Sequence, residues 1–139
     1  MPKTARIAIV LLLSAWLGSA FAQTAEEALT KQSFLSVSAF QCAIVATDAK
    51  QRERLFTLGL KSGRDFIETA KSKTDLYAKV RSQIPMLRTM TGGPTTDFIL
   101  GQVYAQLEAD IYKKFDSDEK LWKAVKDNMY REKNCALLQ

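Results

Sequence analysis

Any chemistry in this chain must be built without histidine, because none occurs in its 139 residues. That excludes the Ser-His-Asp triad, the Cys-His pair, the HExxH zinc site and a histidine general base. Among the remaining ionisable groups, Glu108 is the most informative. At helical spacing it falls within an otherwise apolar arc that includes Phe115 and Gly101. A carboxylate there must be paired, hydrogen-bonded or protonated. It reads as a structural pair, or as an acid or anchor in a cleft. Gln41 and Ser38 are the matching polar positions on an earlier apolar segment and are candidates for a shared buried polar site. A single carboxylate is not a hydrolase site, since glycosidases generally set two across the substrate. No catalytic residue is assigned and a non-enzyme is expected.

A second candidate is a basic face. Lys50, Arg54, Lys61 and Arg64 share one side of a helical wheel and would suit docking to an acidic protein, anionic lipid or nucleic acid. Glu68 continues the same side, with Glu53 and Asp65 at its margins, so solvated helix surface is the competing reading. The cluster Asp116-Ser117-Asp118-Glu119 lacks the ligand spread and central glycine of a calcium loop and reads as helix capping. The turn Thr91-Gly92-Gly93-Pro94-Thr95-Thr96 lacks the lysine and spacing of a phosphate-binding loop. No metal site and no cofactor are expected.

The first 22 residues read as an export signal. Lys3 and Arg6 form a positive start, Ile7 to Leu17 is apolar, and Ala20-Phe21-Ala22 places small residues before a cut ahead of Gln23. The apolar run is short for a membrane anchor, and no later stretch is long enough to span a bilayer. Residues 23–139 are expected to form one helical domain. Removing Lys3 and Arg6 lowers the net charge from +5 to +3. So small an excess argues against nucleic acid. Export to the periplasm or the medium also makes a disulfide between Cys42 and Cys135 the expected state of the two cysteines.

Long periodic segments with short breaks point to an all-α, five-helix domain. The segments run over about 31–47, 52–71, 75–87, 95–115 and 117–134. The first and fourth are apolar over most of their circumference and are expected to be sandwiched by the others. Gly59 and Gly63 lie on the apolar face of the second, where close backbone approach or a break at Gly63 would explain them. Pro85 should end or kink the third, Pro94 should open the fourth and Ser117 should cap the last. The last is expected to bury Leu121, Trp122, Val125 and Met129. The functional expectation is a small exported protein that acts by binding another exported protein, as an inhibitor or immunity-type protein does. The alternative is a carrier of a small apolar ligand or an accessory at the envelope surface.

Overall fold

The computed structural model describes residues 24–84, 86, 90, 92–115 and 119–139. The expected signal segment, Pro85, Leu87, Thr91 and the Asp116-Ser117-Asp118 stretch lie outside the described residues.

The fold is all-α, with five helices and no strand among the described residues. Helix α1 (Ala25–Val45) opens on a reciprocal cap: the Glu27 amide donates to Thr24 Oγ1 at 3.2 Å and the Thr24 amide to Glu27 Oε2 at 3.1 Å. This cap starts the helix about two turns earlier than the apolar periodicity does. Helix α2 (Ala49–Ser72) follows at once, because the Asp48 carboxylate accepts from the Gln51 amide at 2.8 Å. It is continuous through Gly63. Helix α3 (Thr74–Val80) is short and runs into a 3₁₀ turn at Arg81–Gln83. Helix α4 (Thr96–Tyr112) is capped by Thr95, whose hydroxyl accepts from the Phe98 amide at 3.1 Å. Pro94 therefore precedes the cap instead of opening the helix. Helix α5 (Glu119–Glu132) ends at Asn134, which takes the left-handed conformation (φ 53°) and turns the chain into a 3₁₀ segment, Cys135–Leu137.

The centre of the fold is α1 alone. It touches each of the other four helices. From Ala39 to Ala46 every residue but Gln41 is buried. The α1–α2 contact is close because α2 presents glycine there. A Cβ built on Gly59 would lie 2.5 Å from the ring of Phe40, and one on Gly63 would lie 2.5 Å from Leu100 and 2.8 Å from Ser36 Oγ. Two serines fill the space this leaves. Ser36 Oγ donates to the Gly59 carbonyl at 2.8 Å, and Ser33 is wholly buried. Phe66, Leu29, Leu55, Met86, Leu100 and Val103 complete the core.

The outer helices depart from expectation. In α4 only Ile99, Leu100, Val103, Leu107 and Ile111 are buried. Phe98 is 49% exposed, so α4 is a one-faced outer helix and not a second central one. None of the described side chains of α5 is fully buried. Leu121 is 53% exposed, and Trp122, Val125 and Met129 are half-buried. What holds α5 is its end: Cys135, fully buried, is bonded to Cys42 of α1 across 93 residues of sequence.

Candidate functional site

The basic side chains of α2 do not form one open stripe. Arg64 grips Asp97 of α4 through two bonds, Nε to Oδ1 at 2.7 Å and Nη2 to Oδ2 at 2.9 Å. The guanidinium holds the Asp97 carboxyl below the usual carboxylate range, mainly by hydrogen bonding. Arg54 donates to Gln51 Oε1 at 3.0 Å and to the Leu138 carbonyl at 2.6 Å. Two of the four expected residues thus tie α2 to α4 and to the C-terminus, while Lys50 and Lys61 are exposed.

The expected polar trio is not joined either. Gln41 Oε1 accepts from Lys133 Nζ at 2.9 Å, which adds a second tie between α1 and the chain beyond α5. Ser38 is half-buried, and the fully buried serines are Ser33 and Ser36. Glu108 is half-buried on α4. The first residue of α4 faces α2: Thr96 Oγ1 donates to Glu68 Oε1 at 2.6 Å and accepts from Lys71 Nζ at 3.1 Å. Thr96 and then Lys71 lower the Glu68 carboxyl.

The residues that converge come from α2, α4 and α5. Tyr104, Glu108 and Tyr112 recur every fourth residue and share one face of α4. At one end of that face, Tyr104 meets Phe56 edge-on at 5.1 Å and Phe40 at 5.5 Å. At the other, Tyr112, Phe115 and Trp122 form a triangle with ring centres 5.1–5.8 Å apart. Burial, then the Glu108 charge, push the Tyr104 phenol above its ordinary value, while Arg52 pulls it down. Glu108 and Arg52 are therefore electrostatic neighbours of the same ring.

Two cations at this face are held by neutral acceptors. Arg52 donates Nε and Nη2 to the Ala46 carbonyl, at 3.3 and 3.0 Å, and so caps the end of α1. Lys126 donates to the Tyr112 hydroxyl at 3.0 Å. With its nitrogen bonded at the phenol oxygen, 5.1 Å from the ring centre, this is a hydrogen bond at the rim and not a cation over the ring face. Arg52, Lys126, Lys123, Trp122 and Thr47 line an open groove of about 360 Å³. Past Thr47 it adjoins a second groove of about 300 Å³, lined by Asp48, Gln51, Tyr130 and Arg131 among others. Asp127 lies between them, accepting from Thr47 Oγ1 at 2.9 Å and pairing with Lys123 at 3.0 Å. Lys123 and then Thr47 lower its carboxyl.

A third groove, beside Thr24, is lined by Glu26, Glu27, Lys31, Phe34 and Lys79. Its charges are mutually compensated, with Lys79 paired to Glu26 at 3.2 Å. The groove at α5 differs in that neither Arg52 nor Lys126 has a carboxylate partner among the described residues. Periodicity alone did not reveal it, because Trp122 and the tyrosines read as core. The available signal was the recurrence of polar-tipped residues at 104, 108 and 112 opposite Trp122 and Lys126.

Among the described residues no group of three His, Cys, Asp or Glu side chains is placed to hold a metal, and no helix is long and apolar enough to cross a membrane. No known protein family matches the chain, and neither a curated protein nor a solved structure is similar to it.

Proposed function

We propose that this is a small exported, non-catalytic protein that acts by occupying the surface of another exported protein, in the manner of an inhibitor or immunity-type protein. The observation that carries the reading is the groove at α5. A half-buried Trp122 stands beside Arg52 and Lys126, two cations without carboxylate partners among the described residues. Tryptophan and arginine at the rim of a groove are the residue types that dominate binding energy at protein interfaces. Export rests on Lys3, Arg6, the Ile7–Leu17 apolar run and Ala20-Phe21-Ala22. The buried Cys42–Cys135 bond supports an oxidising destination. The alternative, a carrier of a small apolar ligand, has no comparable feature behind it, since charged side chains rim this groove.

The test is affinity capture with the tagged chain from periplasmic extract and culture medium, alongside Trp122→Ala. A partner retained by the native chain and lost by the variant, with helicity unchanged by circular dichroism, is the expected result. Failure of the native chain to retain any specific partner overturns the reading.

A further inference from the structure

We infer that the groove between the α1–α2 turn and α5 receives an acidic segment of the partner protein, with a partner carboxylate seated between Arg52 and Lys126 and an apolar neighbour against Trp122. The inference rests on the protein-binding reading above and adds the chemistry of the partner.

Among the described residues the chain's surface cations at Arg64, Lys71, Lys79, Lys113 and Lys123 each pair with a carboxylate within 3.3 Å. Like Arg54 and Lys133, Arg52 and Lys126 do not, but these two line one groove. Each is instead oriented by a neutral oxygen, the Ala46 carbonyl and the Tyr112 hydroxyl. Such bonds fix direction while leaving the positive charge uncancelled, and two bonds to one carbonyl leave Arg52 Nη1 unused. Both cations line the same groove of about 360 Å³. The described charged groups that line it are Arg52 on α2 and Lys123 and Lys126 on α5, with Asp127 beside Lys123. Lys123 and Asp127 cancel. Arg52 and Lys126 remain, so the described lining of the groove is net positive.

Shape favours a chain segment over a small ion. The groove continues past Thr47 into the neighbouring one toward Tyr130 and Arg131. An extended peptide crossing Thr47 would meet cations at both ends and aromatic rings at Trp122 and Tyr130. Arg52 suits a carboxylate because its planar fork can offer a second nitrogen while the first pair stays on Ala46.

The probe is a fluorescein-labelled peptide of alternating glutamate and leucine, followed by anisotropy against the full chain at low ionic strength. A lysine–leucine peptide of equal length is the counterpart. The expected result is saturable binding of the acidic peptide only, weakened by salt. The double variant Arg52→Gln/Lys126→Gln should weaken it by about tenfold or more, the worth of one lost charge-assisted hydrogen bond. Lys126→Met leaves the cap on α1 intact, and should weaken binding in the same direction if the double variant unfolds. Lys50→Gln/Lys61→Gln removes equal charge from the outer side of α2 and should leave binding unchanged.

Equal loss in both double variants shows a net-charge effect and overturns the inference. Full displacement of the peptide by equimolar citrate or phosphate shows a small-anion site and overturns it as well. Absence of peptide binding overturns it too. If a specific partner is still captured in a manner that depends on Trp122, the protein-binding reading then stands without it.

Discussion

Gly59 lies against the ring of Phe40, where a Cβ would come within 2.5 Å of Cδ1 and 2.7 Å of Cε1. Phe40 has little room to yield, being fully buried and packed against the rings of Phe56 and Tyr104. Gly59→Ala should therefore destabilise the protein. Overpacking costs about 1–3 kcal/mol, and the gain in helix propensity offsets roughly 1 kcal/mol of that. Gly101 is the control. It is exposed in the middle of α4 with nothing within 4 Å of its would-be Cβ. Gly101→Ala should stabilise by up to about 1 kcal/mol. Urea denaturation of the two variants should move in opposite directions.

The serines of α1 give a second opposed pair. Ser36 bonds to the Gly59 carbonyl, whereas Ser33 Oγ is buried with no hydrogen-bond partner among the described residues. Ser36→Ala should lose about 0.5–1.5 kcal/mol. Ser33→Ala removes an unsatisfied hydroxyl and gains helix propensity, so it should raise stability by about 0.5–1 kcal/mol. A destabilised Ser33→Ala in the same denaturation assay would mean that its hydroxyl has a partner after all.

Reducing the Cys42–Cys135 bond should lower stability by about 4–5 kcal/mol at most, the loop-closure value for 93 residues. The loss should be uneven. No described side chain of α5 is fully buried, while α1 is buried nearly all round over its last two turns. Hydrogen exchange of the reduced protein, or of Cys42→Ala/Cys135→Ala, should show α5 amides opening first while α1 and α2 stay protected. Simultaneous loss of protection in α1 would contradict this order.

These three tests also mark the boundary of what the sequence conveys. The helical class follows from periodicity, and the cysteine pairing follows from there being two cysteines. Coverage does not follow. A helical wheel identifies the apolar face of α4 or α5, but not whether another layer lies over it, so Phe98 and Leu121 read as core and are exposed. Small residues misled in the other sense. Ser33 and Ser36 are buried because Gly59 and Gly63 bring α2 close, a fact about two segments that neither carries alone. The groove shows the same difficulty. Arg54 and Arg64 have partners at Leu138 and Asp97, and Arg52 is turned to the Ala46 carbonyl. Only the assembled chain shows which of the described cations without a carboxylate line one groove.

Acid should weaken the fold in a specific manner. Hydrogen bonds from Thr96, Arg64, Lys113 and Lys123 hold Glu68, Asp97, Asp110 and Asp127, respectively, below the ordinary carboxylate range. A depressed folded-state value means that the unfolded chain binds protons first. The stabilisation is therefore complete above about pH 4–5 and is lost as pH falls through the folded-state values. Thermal melts from pH 7 down to pH 2 should show Tm falling on that limb. Asp97→Asn should start lower at pH 7 and fall less steeply. An unchanged slope would mean that the Arg64–Asp97 pair is not kept in solution, where exposed pairs are screened.

The groove can be examined without any ligand through Tyr104. Its phenol lies above its ordinary value of about 10, first because it is part-buried and second because Glu108 is negative, while Arg52 opposes both. A phenol pKa raised in the folded state leaves stability intact below the unfolded value and reduces it as pH rises past that value. Glu108→Gln should therefore bring the Tyr104 titration down, though not to its ordinary value, since burial is the larger cause. Arg52→Gln should move it up. Site-specific NMR of the labelled tyrosine ring resolves both directions from Tyr77, Tyr112 and Tyr130. If Glu108→Gln leaves Tyr104 unmoved, Glu108 faces away from the groove. Arg52 and Lys126 then meet an incoming carboxylate with no opposing charge on α4.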